Sequence, residues 1–278
     1  RITNFQQATR TLHIPVLAVV PEVSDATGRD MDRYSITNSR SIYAEAFRRG
    51  RVQLNATGAF PQRGCAVLMC ASGVPQEGKT SCAVNLAIAA AHVGKRTLLI
   101  DGDIRGPRAH GVFQLPISPG LVDALGGMGP LQAIHDTDVE NLYVMPSGQT
   151  ALNAAQLLGR GGHFADLVNV LRGQFDRIVI DTPPIAAFSD GTLMAPSADA
   201  VVLVVSGRAS RRSATLLAFT ELSRVGREPV GILFNHQSQS DYGYFGYYYQ
   251  QYGGRYTEPD ARPPAMPVDE PVGEEAEG

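Results

Sequence analysis

The chain is poor in several things, and each scarcity narrows what it can be. Its 278 residues carry three cysteines, Cys65, Cys70 and Cys82, with no C-x-x-C spacing. That argues against a disulfide framework and for reduced, packed thiols in a cytosolic compartment. The six histidines show no metal-ligand spacing, which leaves them as satisfied or solvated side chains. Neither sign of charge is in excess: a formal net charge of −3 supplies no electrostatic reason to expect nucleic acid as a partner. No apolar run reaches the roughly 18–20 residues that a membrane helix needs, and no signal peptide is visible. The first residue is Arg1 rather than Met, so the chain reads as a piece of a longer protein whose membrane attachment, if it has one, lies elsewhere. Hydrophobic residues at 44% and charged residues at 18% suit one large α/β domain with ample core.

Lysine is the scarcest of the charged residues. Of 24 Lys+Arg, only Lys79 and Lys95 are lysines. One of them closes Gly73-Val74-Pro75-Gln76-Glu77-Gly78-Lys79-Thr80, the G-x-x-x-x-G-K-[ST] phosphate-binding loop. The apolar run 66–71 precedes it and an apolar-periodic stretch, Cys82 to Val93, follows. Strand, glycine loop and helix are the context the motif requires. Backbone N–H groups of such a loop converge on phosphate oxygens, the helix N-terminus adds its positive end, and lysine brings a compact point charge. Residues 73–80, with Ser81 next to them, are therefore the candidate nucleotide cradle.

From residue 66 apolar strands alternate with helical patterns. The candidate strands are 66–71, 96–101, 142–145, 176–181, 199–205 and 229–234, and the candidate helices 79–93, 153–159, 163–173 and 210–225. This alternation predicts an α/β fold, a mainly parallel sheet covered on both faces, with ligands at the carboxyl ends of the strands. Upstream, 14–21 reads as a short extended segment closed by proline, 24–40 as a loop, and about 41–55 as a helix. On that helix Glu45, Arg48 and Arg51 share one face, which on spacing alone fits an ordinary solvated surface with i,i+3 ion pairs. After Asn235 the composition changes. Residues 239–256 hold Tyr242, Tyr244, Tyr247, Tyr248, Tyr249, Tyr252 and Tyr256, and 257–278 is rich in proline and acid. Such a composition cannot bury enough apolar area to order itself, and 239–278 reads as a flexible tail.

Two acidic motifs accompany the loop. Asp101 and Asp103 end one candidate strand, in Leu98-Leu99-Ile100-Asp101-Gly102-Asp103-Ile104-Arg105, and Asp181 ends another, in Ile178-Val179-Ile180-Asp181-Thr182-Pro183-Pro184. Nucleotide brings Mg²⁺, a hard cation held by a loop hydroxyl, few carboxylates and phosphate oxygens, chemistry that Thr80 and Asp181 offer, with Asp101 a further candidate ligand. Asp101 and Asp103 also have the chemistry to orient or deprotonate an attacking hydroxyl, and the sequence does not divide these roles between them.

This layout resembles the bacterial tyrosine kinases, the autokinases that accompany capsule and exopolysaccharide export. The likeness extends to Pro116 to Gly127, Leu142 to Gly148, Asn153 to Leu158, Phe188-Ser189-Asp190 and Gly231 to Asn235. It implies a P-loop kinase using ATP and Mg²⁺, with Lys79, Asp101, Asp103 and Asp181 catalytic and Asn235 against the adenine. It implies that the tail tyrosines are the substrate, phosphorylated mainly between subunits. It turns Glu45, Arg48 and Arg51 into an E-x-x-R-x-x-R motif that assembles a ring. The segment 12–21 resembles the stretch joining such a kinase to a membrane co-polymerase domain, so 1–40 is expected as a lead-in, 41–238 as the kinase domain and 239–278 as the tail. A location on the cytoplasmic face of the membrane and a cognate tyrosine phosphatase follow from the same resemblance. Two departures stand out: Gln76 occupies a position where the family commonly has glycine, which implies local backbone strain, and Gly106 follows Arg105 where a second basic residue is frequent. A rival exists in the spatial-partitioning ATPases, but their extra loop lysine falls at Val74 here, and they lack the tyrosine tail. Their reading would make this chain an ATPase or nucleotide sensor with an interaction tail.

Overall fold

A computed structural model describes residues 1–23, 29–149, 154–159 and 162–238. The described residues form an eight-stranded sheet: β1 (Val16–Pro21), β2 (Ala66–Ser72), β3 (Thr97–Asp101), β4 (His135–Asp136), β5 (Leu142–Met145), β6 (Arg177–Asp181), β7 (Ala200–Ser206) and β8 (Gly231–Gln237). Their order is β1-β8-β7-β2-β6-β3-β5-β4, and every pairing is parallel except that of β4 with β5. The six strands expected from residue 66 onward are all present. The five expected helices form at Ile42–Ala56, Lys79–Ala91, Ala154–Gly159, His163–Arg172 and Arg212–Arg224.

The central strand β2 is buried at all seven positions, as a strand covered on both faces must be. Its side chains alternate between two cores. Val67, Met69 and Ala71 face one, with Phe164, Leu167 and Leu171 of helix His163–Arg172 and Ala218 and Leu222 of helix Arg212–Arg224. Leu68 and Cys70 face the other, with Tyr43, Phe47 and Leu54 of helix Ile42–Ala56. Helix Lys79–Ala91 lies in this second core, buried on nearly every side. Its small residues Cys82, Ala83, Val84, Ala87 and Ala89 to Ala91 let the sheet and the helix Ile42–Ala56 approach from opposite sides. All three cysteines are buried free thiols, as the composition implied.

The N-terminal stretch is more structured than its polar composition indicates. Asn4 caps a helix, Phe5–Leu12, through a bond from Gln7 N. The extended segment then enters the sheet as β1, beside the last strand. The stretch read as a loop from 24 to 40 carries two single-turn helices, Arg29–Asp32 and Tyr34–Thr37. Short helices of this kind depend on tertiary contacts rather than propensity, so composition does not announce them. The tail tyrosines Tyr242, Tyr244, Tyr247, Tyr248, Tyr249, Tyr252 and Tyr256 lie outside the described residues.

Candidate active site

The parallel register builds the site. Asp181 is paired with Asp101 on one side and with Cys70 on the other, so the ends of β3, β6 and β2 stand together. Beyond β2 the chain turns through 73–78 into helix Lys79–Ala91, with Gly78 left-handed at φ 81°. The first N–H groups of a helix have no intrahelical partner, so this loop and helix end offer donors to an anion. A Cβ on Gly73 would come within 3.0 Å of the Ala214 backbone, and one on Gly78 would overlap the Asn235 amide. Gln76 has φ 66°; the strain expected there from the sequence is present. Pro75 and Gln76 are exposed at the lip of the loop.

Lys79 and Thr80 meet the same carboxylate. Lys79 Nζ is 2.5 Å from Asp181 Oδ1, and Thr80 Oγ1 donates to Asp181 Oδ2 at 2.6 Å. Asp103 Oδ2 stands 4.0 Å from Lys79 Nζ. Burial by itself lowers the lysine pKa, but the charge and hydrogen bond of Asp181, then the charges of Asp103 and Asp101, leave it raised and the ammonium intact.

The two aspartates of β3 and its following loop are distinguished by their donors. Asp101 is fully buried. Its Oδ2 accepts from Arg108 N at 3.0 Å and Ala109 N at 2.9 Å, and its Oδ1 from Asp103 N at 3.2 Å. Its carboxyl is pushed up to about 7, by burial first and the neighbouring Asp181 charge second, against the opposing pull of those N–H groups. Asp103 is partly exposed; its Oδ1 is held by Gly106 N at 3.0 Å and Arg105 N at 3.3 Å, which leaves Oδ2 toward Lys79.

Other expected site residues serve the loop rather than its mouth. Glu77 is buried, its Oε2 accepting from Val74 N at 2.8 Å and its Oε1 from the Ser210 hydroxyl. Burial raises its pKa against the hydrogen bonds from Ser210 and Val74. Asn235 Nδ2 donates to the Glu77 carbonyl at 3.0 Å. Ser81 donates its hydroxyl to Asp32, a residue not singled out in the sequence. Asp32 is buried, receives Arg108 Nη2 at 2.7 Å, and accepts at its carbonyl from Asn85 Nδ2 at 2.9 Å. Burial raises its pKa, with the Ser81 hydrogen bond and the Arg108 charge opposing. Arg105 pairs with buried Asp190 at 2.5 Å and lies 4.3 Å from the Phe188 ring centroid. Nothing local in the sequence marks Asp32 as part of this network, 49 positions before Ser81; only a contact map finds it. Away from this centre, Glu45 Oε2 binds Arg48 Nε at 2.6 Å, and Arg48 Nη1 donates to Ser39 O at 2.7 Å. The buried Nε of Arg51 has no hydrogen-bond partner among the described residues.

A phosphate-binding loop between strand and helix, with acidic strand ends beside it, defines a P-loop nucleotide-binding protein. The comparisons narrow the class. A family model described as an AAA domain matches residues 71–220. The tyrosine-protein kinase CpsD of Streptococcus pneumoniae is 35% identical over 178 residues, 63% of this chain and 78% of that protein. The tyrosine-protein kinase YwqD of Bacillus subtilis is 31% identical over 215 residues, 77% of this chain and 90% of that protein. The crystal structure of the chimerical protein CapA2B2 superposes with a TM-score of 0.75 at 26% identity, covering 84% of this chain and all of that one. The chain belongs to the bacterial tyrosine-kinase family of AAA-type P-loop proteins. Among the described residues no helix is long and apolar enough to cross a membrane.

Proposed function

We propose that the chain is an ATP-dependent tyrosine autokinase that phosphorylates its own C-terminal tyrosine cluster, mainly between subunits of a homo-oligomeric ring. The observation that carries this reading is the grouping of Lys79, Thr80, Asp103 and Asp181 at the carboxyl ends of β2, β3 and β6, in a chain with seven tyrosines between 239 and 256. The oxygen-rich donor set of the Thr80 hydroxyl and Asp181 carboxylate suits a hard cation, and these two would hold Mg²⁺. Bound there, the ion neutralises charge on the phosphates. Lys79 leaves Asp181 to meet the phosphates. Asp103, on the exposed side of the lysine, takes the proton of the tyrosine hydroxyl as its oxygen bonds to the γ-phosphorus and the bond to the β-bridging oxygen breaks. Asp101 supports the site from below, since its oxygens already hold the backbone that follows β3. Asn235 keeps the loop in place from the side expected to face the adenine.

Assembly through Glu45, Arg48 and Arg51, attachment to a co-polymerase domain in the same polypeptide or as a separate activator at the cytoplasmic membrane face, reversal by a cognate phosphatase, and control of polysaccharide export complete the proposal. Intact mass after incubation with Mg-ATP tests its centre. The parent should gain a ladder of phosphates that Lys79→Met and a deletion of 239–278 both lack. Mixing Lys79→Met chains with active chains lacking the tail should phosphorylate the former. ADP release without added mass would instead assign the site to an ATPase.

A further inference from the structure

The carboxylate of Asp32 stands where electrostatics alone would not put one. It is 2% exposed. Burial raises its pKa and the Asp181 charge pushes the same way, against the Ser81 hydrogen bond and the Arg108 charge. Asp101 and Asp181, also buried, already bring acid to this end of the sheet, beside a helix terminus suited to phosphates. A further buried carboxylate destabilises the fold and repels an incoming polyanion. A neutral side chain of the same shape would do neither.

What the charge does is link the two halves of the site. Asp32 Oδ1 accepts from the Ser81 hydroxyl, in the first turn of helix Lys79–Ala91. Asp32 Oδ2 accepts from Arg108 Nη2 at 2.7 Å. The backbone N of that same Arg108 donates to Asp101 Oδ2 at 3.0 Å. One carboxylate thus joins the phosphate-loop helix to the turn that holds Asp101. That helix follows β2 and that turn follows β3, and β6 lies between these strands in the sheet. No strand ladder joins the two segments directly, so a bridge from outside the sheet sets their spacing.

The segment that carries Asp32 is held in place without its carboxylate. The Asp32 carbonyl accepts from Asn85 Nδ2 at 2.9 Å, and the Ser35 hydroxyl donates to Asn85 Oδ1. Arg33 pairs with Asp138 at 2.5 Å, and the Tyr34 ring meets Tyr43 edge-on at 5.5 Å. The acid is therefore not what fastens residues 32–35. Arg108, with 53% of its side chain exposed, is the mobile partner: without Asp32 its guanidinium is free to turn toward bound phosphates.

We propose that Asp32 is a positioning residue for phosphoryl transfer, its carboxylate fixing the turn of Asp101 and Asp103 against the phosphate loop through Arg108 and Ser81, at the expense of nucleotide affinity. The inference rests on the kinase reading only for the acceptor. The alignment serves transfer of a γ-phosphoryl group to tyrosine or to water alike.

Turnover and MgADP affinity of the full chain, parent beside Asp32→Asn, test it. Asparagine keeps the shape but turns an amide NH₂ toward one of the two donors. Turnover should fall at least about tenfold as alignment is lost. MgADP should bind at least about threefold more tightly by calorimetry, because a repelling charge is gone and Arg108 is released. A residue that only supported the fold would weaken binding and slow turnover together. Adding Arg108→Ala to Asp32→Asn should slow turnover no further, since both changes cut one link. Ser35→Ala loosens the same segment with the carboxylate in place, and should lower the melting temperature while turnover stays that of the parent.

Turnover of Asp32→Asn within about twofold of the parent, far short of the loss that misalignment brings, overturns the proposal. So does MgADP binding that is no tighter, or a Ser35→Ala rate as low as that of Asp32→Asn. A parent that releases ADP without phosphorylating its tail refutes the kinase reading instead, and ADP release then supplies the turnover for the same comparison.

Discussion

Lys79 and Asp181, 102 positions apart in the chain, form a 2.5 Å ion pair with 6% and 1% of their side chains exposed. The lysine that the sequence assigns to phosphates is here a counter-ion to the aspartate assigned to Mg²⁺. Each partner keeps the other from being an uncompensated charge in a dry site.

The first prediction follows from that pairing. Removing one partner of a buried pair costs about 3–5 kcal/mol, so Lys79→Met should lose stability as well as activity. Urea unfolding without nucleotide measures it. Adding Asp181→Asn to Lys79→Met should recover much of the loss, because the stranded charge goes too. A Lys79→Met chain within about 1 kcal/mol of the parent would show that water reaches the pair.

Asp101 makes stability depend on pH. Its carboxyl is pushed up to about 7 by burial and then by Asp181, whereas an unfolded Asp titrates near about 3.9. The folded state therefore binds the extra proton between these values, and this contribution is present at low pH and lost as pH rises from about 4 to about 7. His236 acts oppositely: burial and then Arg208 push it down to about 4, so its contribution is lost as pH falls from about 6.5 toward 4. Asp101→Asn should remove a falling slope of up to about 1.4 kcal/mol per pH unit. Denaturant midpoints taken from pH 4 to 8 in parent and variant check the sign.

Gln76 carries strain that glycine would relieve. A left-handed non-glycine residue costs roughly 1–2 kcal/mol, offset in part by the roughly 0.5–1 kcal/mol of extra unfolded-state entropy that glycine brings. Gln76→Gly should raise the melting temperature by about 2 °C. No rise, or a fall, would mean that the loop uses the glutamine side chain for something other than its backbone shape.

Gly78 is the converse case. Ala at this position would hold φ 81° and overlap the amide of Asn235, so Gly78→Ala should weaken nucleotide binding by at least about tenfold. Pairing it with Asn235→Ala clears the overlap but not the backbone strain. The double variant should bind nucleotide better than Gly78→Ala alone, measured by calorimetry. If it does not, the strain at 78 outweighs the contact.

The strands from 66 onward were legible because buried parallel strands are written as continuous apolar runs, such as Ala200 to Val205. Strand β1 was visible as an extended segment, yet its partner was not, since β1 and β8 lie more than two hundred residues apart in the register Val16 with Ile232. The short helices between 29 and 37 escaped because each is a single turn held by contacts such as Asp32 with Ser81 and Arg108. Glu77 and Asn235 were legible as site residues, but not as the pair of braces under the loop that hydrogen bonding makes them.

What the sequence determined by itself was the chemistry: a glycine-loop lysine and hydroxyl, three strand-end aspartates, and tyrosines gathered after the last strand. Local patterns suffice for this because phosphate binding depends on a contiguous loop and strand ends are marked by the residue after an apolar run. What only the tertiary structure decided was how the two neighbouring carboxylates are turned. Asp101 and Asp103 are two residues apart and chemically identical. One turns inward to three backbone N–H groups and the other faces Lys79, because β3 ends at Asp101 and the turn after it takes Asp103 out of the period of two that would have put both on one face.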